Sequence, residues 1–168
     1  LASSAASDVY KRQVEVSFGE QFIDNIRAIL KDRPIDYLVV DHMEPDHSSS
    51  IKTLRLLYPE MQIVGNAKTL QMLDGYYGIH TLTREVKEGE SISLGQKNLS
   101  FYMAPMVHWP EVMVTYCPEH KVLFSADAFG TFGALNGGIL DSQLSLDHFW
   151  DEMRRYYACI VGKYGAPV

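Results

Sequence analysis

The sequence predicts an α/β fold in which helices layer on sheets, and three observations predict it. Through the first half, apolar residues at helical spacing alternate with short apolar runs fit for buried strands. The second half breaks into short strand-like segments divided by turn residues, and an amphipathic stretch lies near the carboxyl end. The chain has 168 residues, 46% of them hydrophobic, enough for one domain or part of one that buries roughly 68–70% of its unfolded surface.

Taken in order, residue 1 is Leu, and six of the first seven residues are Ala or Ser. Residues 1–13 therefore read as a non-native linker or adapter scar, and residues 14–168 as the folded part. Phe18, Phe22, Ile23, Ile26, Ile29 and Leu30 recur at helical spacing up to Pro34, and the run at 37–40 suits a buried strand. After the polar stretch 41–50, Ile51, Leu54, Leu57 and Tyr58 make a second helix stopped by Pro59, with a strand at 62–64. Leu70, Met72 and Leu73 suit a third helix ended by Gly75 and Gly78. Strands are then expected at 91–94, 99–103, 112–116 and 122–124, with turns at 95–98 and 117–120. Residues 144–160 read as a helix with Leu146, Phe149, Trp150, Met153 and Tyr157 on one side.

Composition excludes several functions. The net charge of −6 without a Lys/Arg cluster gives a nucleic-acid backbone little to hold. No run approaches the ~18 apolar residues of a membrane helix. The two cysteines, Cys117 and Cys159, form no C-x-x-C pair, which argues against a disulfide framework or thiolate zinc site and for a reducing, cytoplasmic setting. Both read as inert.

The densest set of possible ligands follows the first strand: His42, Glu44, Asp46 and His47. In an extended segment His42, Glu44 and Asp46 share one side and His47 turns to a neighbouring point, a layout that suits two metals better than one. The competing reading, a loop in which Asp46 or Ser48 caps the next helix, needs one side chain and explains neither histidine. His108 and Asp127 each stand just past a later strand, so three sheet edges present ligands to a common place.

Several nearby features invite simpler readings. Trp109 reads as packing, and Ser48 to Ser50 as a helix start without a nucleophile elbow. Gly130, Gly133, Gly137 and Gly138 read as a turning loop without phosphate-binding spacing. His80, His120 and His148 read as surface residues.

The texts His-Met-Glu-Pro-Asp-His-Ser at 42–48, His-Trp-Pro-Glu at 108–111 and Phe-Ser-Ala-Asp-Ala-Phe-Gly at 124–130 resemble the diiron domain of the flavodiiron proteins. The resemblance covers nearly all of 14–168 and implies a metallo-β-lactamase-like αβ/βα sandwich, truncated at both ends. It assigns His42, Glu44 and His108 to one iron, Asp46 and His47 to a second, and Asp127 to the bridge. Glu44 stands where hydrolytic relatives of the fold have histidine, which tilts the expectation from zinc to iron because a further carboxylate suits the harder metal.

The resemblance implies reduction of dioxygen to water or of nitric oxide to nitrous oxide, with electrons from FMN across a head-to-tail homodimer. The donor would be rubredoxin or a flavin or deazaflavin reductant. Two departures are expected: a further histidine on the second iron and the flavodoxin-like FMN domain match nothing here. A zinc-dependent thioester or lactam hydrolase and an inactive fragment are the alternatives.

Overall fold

The computed structural model describes residues 19–134 and 140–168. The linker reading of 1–13, the helix position given to Phe18, and Gly137 and Gly138 of the expected turning loop lie outside the described residues, as does the side chain of His148.

Helix α1, Gly19–Leu30, carries Glu20 in its first turn and Arg27 in its last, each on the side the helix dipole favours. Arg33 donates from Nε to the Leu30 carbonyl and from Nη2 to that of Ile29, so the helix end is closed just before Pro34. Strand β1, Tyr37–Val39, leads into a short helix α2, Pro45–Ser48, and then α3, Ile51–Leu57. Strand β2, Gln62–Gly65, is followed by α4, Ala67–Tyr77, and β3, Thr83–Glu85. These three strands form a parallel sheet ordered β1-β2-β3.

Four antiparallel strands make the second sheet, in sequential order: β4, Ser91–Ser93; β5, Asn98–Met103; β6, Met113–Cys117; and β7, Val122–Phe124. Beyond them lie two single 3₁₀ turns, Asp141–Gln143 and Leu146–His148, then α5, Trp150–Tyr156, which runs on into a π-helical turn, Tyr157–Val161, and a third 3₁₀ turn, Gly162–Tyr164.

Strand alternation explains the layering, because successive side chains leave a strand on opposite faces. Ile63 of β2 joins Ile23, Ile26, Ile51, Leu54 and Leu73 in a core between the parallel sheet and its helices. Its neighbour Val64 points the other way, into a second core with Ile92, Leu99, Phe101, Met113 and Phe124. Leu38 of β1 faces the helices while Tyr37 and Val39 face the second sheet. Two sheets face to face with helices outside one of them make three of the four layers of the αβ/βα sandwich that the resemblance implies.

Three elements differ from expectation. The third helix runs through Gly75 and ends only at Gly78, whose φ of 67° is the left-handed cap that glycine adopts without a side-chain clash. Strand β3 carries no apolar alternation and shows only through its ladder to β2. The last helix starts at Trp150 instead of 144, and Trp150 is 51% exposed, so its apolar stripe is not a core face in this chain. Gly65 meets a different demand. A Cβ there would stand 2.6 Å from Thr69 Cγ2, so the end of β2 can approach α4 only with no side chain at all.

Candidate metal centre

Both sheets deliver donors to one place. The chain leaving β1 turns at Glu44 into α2, with Pro45 in its first turn. This turn, rather than an extended run, brings His47 back toward His42, and their ring centroids are 4.9 Å apart. The expected alternation is corrected on this point: a helical turn aims these side chains.

The competing capping reading is not met, although a helix does start after Ser50. Neither short helix has a side-chain cap, and the buried Ser48 hydroxyl bonds instead to the Met43 carbonyl at 2.9 Å and to the Tyr77 hydroxyl at 2.7 Å.

His108 comes from the loop between β5 and β6, and Asp127 from the turn after β7. The Asp127 carboxylate is the hub. Its Oδ2 lies 3.1 Å from His42 Nε2 and 3.2 Å from His108 Nε2, while its Oδ1 lies 3.3 Å from His47 Nε2. Glu44 Oε2 lies 3.1 Å from His42 Nε2 and 3.3 Å from His108 Nε2. Donor atoms of His42, Glu44, His47 and Asp127 all fall within 4.8 Å of one another. Asp46 flanks the group, with Oδ2 3.6 Å from His47 Nε2.

The residues fit a metal. His47 Nε2 and Asp46 Oδ1 are buried and make no hydrogen bond among the described residues, an arrangement that costs about 1–3 kcal/mol per group unless something else satisfies them. Imidazole nitrogen and carboxylate oxygen are donors that first-row metals accept.

Sequence reasoning missed the layer behind the ligands. Glu111, fully buried, accepts His42 Nδ1–H at 2.8 Å and the Met43 backbone N–H at 2.9 Å on the same Oε1. Its own carbonyl accepts from Asn66 Nδ2 at 2.6 Å, and Asn66 caps α4. Asp41, also buried, accepts from Thr115 Oγ1 at 2.6 Å and offers its carbonyl to Met113 N–H at 3.0 Å. An acid ending each apolar or aromatic segment, Asp41 after residues 37–40 and Glu111 after His108 and Trp109, was the available signal.

Trp109 packs edge-on against His42, with centroids 5.4 Å apart, in line with the packing reading. His80 stands exposed, as expected, and pairs with Asp74 at 3.2 Å. Both cysteines are free thiols. Buried Cys117 ends β6 and Cys159 is exposed.

Charge follows from this packing. Burial alone would depress His42, but the carboxylates of Asp127 and Glu111 outweigh it and lift its pKa to about 9. Burial would likewise raise Glu111, yet the hydrogen bonds from His42 and Met43 hold it below the ordinary carboxylate range. Asp41 is pushed up to about 7 by burial, which the Thr115 bond only partly offsets.

The comparisons agree with this geometry. The ODP family beta-lactamase model matches residues 15–162. The nitric oxide reductase of Moorella thermoacetica is 36% identical over 86% of this chain and 36% of its own length. Diflavin flavoprotein A 1 of a Synechocystis species is 34% identical over 86% of this chain and 25% of its own length.

Among solved structures, rubredoxin oxygen:oxidoreductase from Desulfovibrio gigas superposes with a TM-score of 0.85 at 29% identity. The flavodiiron protein of Giardia intestinalis superposes at 0.83 and 30% identity, and each covers 92% of this chain and 38% of the other. The chain thus spans 25–38% of the length of these relatives. With 15–162 inside one family model and flavodiiron proteins as its relatives, the chain belongs to the ODP family beta-lactamase domains.

Proposed function

We propose that this domain holds two irons and serves an oxidoreductase that reduces dioxygen to water or nitric oxide to nitrous oxide. His42, Glu44 and His108 would hold one iron, Asp46 and His47 the other, with Asp127 between them. One observation carries the reading: the two oxygens of Asp127 face two different groups, Oδ2 toward His42 and His108 and Oδ1 toward His47. Such a division suits a bridging carboxylate.

The bound pair would supply electrons to a diatomic substrate; the chain supplies the surroundings. His42 and His108 approach from opposite sheets and set the width of the site. Trp109 packs its ring against His42 on one side of the site. Glu44 keeps 34% of its side chain exposed and marks the open side, where a small gas enters. Three carboxylates against three histidines favour the harder, more highly charged metal.

The names of the relatives support the rest. Nitric oxide reductase, flavorubredoxin and rubredoxin oxygen:oxidoreductase point to nitric oxide or dioxygen as substrate and to a rubredoxin or flavin reductant as donor. We infer FMN as the immediate electron source, delivered within a head-to-tail dimer. Among the described residues no helix is long and apolar enough to cross a membrane. The two free thiols support a cytoplasmic setting.

The test is metal analysis of the chain after loading with ferrous iron or zinc, each alone and in competition. Iron bound in preference to zinc supports the reading. A zinc-only preparation that hydrolyses thioesters or lactams overturns it in favour of a hydrolase.

A further inference from the structure

We propose that Glu111 is a positioning residue that fixes which nitrogen of His42 faces the metal centre and ties that histidine to both sheets. The inference rests on the metal-centre reading above and extends it to a residue behind His42.

The geometry leaves His42 little freedom. Its Nδ1 lies 2.8 Å from Glu111 Oε1, so in the neutral ring the proton sits on Nδ1 and the Nε2 lone pair points toward Asp127 and Glu44. The same Oε1 accepts the Met43 N–H, which fixes the backbone on the far side of His42. Glu111 itself is immobilised through its carbonyl, held by Asn66 at the start of α4. Three separate segments therefore meet at one buried residue: the loop after β1 at its carboxylate, the cap of α4 at its carbonyl, and the entry to β6 that carries it.

A packing role alone does not explain this arrangement. A carboxylate buried to 0% exposure is costly unless bonded, and an apolar residue of similar volume would fill the space without that cost. What only an acceptor supplies is the bond to Nδ1–H. Partners of this kind on ligating histidines fix the tautomer and raise ligand basicity, and their loss weakens metal binding by about 10- to 100-fold.

The experiment uses the whole chain, with zinc alone as a diamagnetic probe and a competing chelator to read affinity. Glu111→Leu keeps the volume and removes the acceptor; Glu111→Gln keeps an acceptor oxygen and removes the charge. Expected are zinc binding about 10- to 100-fold weaker in E111L, recovered for the most part in E111Q. In parallel, the nitrogen-15 spectrum of His42 should show a hydrogen-bonded Nδ1–H in the zinc-loaded wild type and E111Q and lose it in E111L.

Equal affinity in E111L and wild type, with the His42 signal unchanged, overturns the positioning role and leaves the metal centre standing. A wild type that binds no metal overturns the centre itself. If E111L does not fold, Glu111→Asp replaces it: the arm is one methylene shorter, and the same loss is expected.

Discussion

Asp41 and Thr115 belong to different halves of the molecule, yet their side chains share a 2.6 Å hydrogen bond directly behind His42. Asp41 follows β1 of the parallel sheet and Thr115 lies mid-strand in β6 of the antiparallel one. Thr115→Val keeps the shape and removes the donor, leaving a buried carboxyl oxygen without it. Unfolding in urea should show a loss of about 1–3 kcal/mol.

Phe101 has no exposed surface and fills the space between the sheets beside Val64, Met113 and Phe124. Phe101→Ala should cost about 3–5 kcal/mol, since the flanking strands cannot collapse onto the gap. Its denaturation midpoint should fall without a change in slope.

Asp127→Ala should abolish iron at both positions, because its two oxygens face both groups of donors. Iron per chain measured after ferrous loading should approach zero while the near-ultraviolet circular dichroism stays intact. Retention of one full equivalent would argue that the carboxylate serves one position only.

Glu44→His should move metal preference toward zinc without loss of the fold, since it exchanges an oxygen donor for a nitrogen one beside His42 and His108. Competition between ferrous iron and zinc reads this directly. An unchanged ratio would remove Glu44 from the selectivity argument.

The turn after β6 predicts an acid dependence. Glu119 accepts from the backbone N–H and the side-chain amide of Asn98, at 3.1 and 2.7 Å, and its pKa is lowered from 4.5 to about 2 by those bonds. A carboxylate depressed in the folded state binds fewer protons there than when unfolded. Its stabilisation is complete above 4.5 and lost as pH falls toward 2. Glu119→Gln should therefore flatten the fall of melting temperature across that window, by an amount that solvent screening keeps small.

Much of this architecture is legible in the sequence. The helix spacing from Phe22 to Leu30, the apolar run after Pro34 and the four short strands reappear within a residue or two at each end. His42, Glu44, Asp46, His47, His108 and Asp127, chosen from three separate stretches, stand together in space.

What sequence could not supply was whatever depends on the two sheets facing each other. Glu111 meets Met43 across 68 positions, and Asp41 meets Thr115 across 74. No local periodicity encodes such pairs. Strand β3, Thr-Arg-Glu, is mostly exposed and pairs with β2, but it lacks the alternation by which a half-buried strand is found. The turn at Pro45 reversed the expected logic of the first ligand cluster, because a helical start re-aims every side chain after it.

Among the described residues β1 and β7 are the outermost ladders of their respective sheets, and the chain that leaves each one carries His42 or Asp127. A cation gripped by both would act as a rivet across the two rims, beside the bonds from Asp41 to Thr115 and Met113 that already join the sheets there. Pulled or heated, the empty molecule should open first along this seam, and the filled one should hold there longest. Amide exchange in the strand before His42 would then report loading as sensitively as any spectrum of the metal.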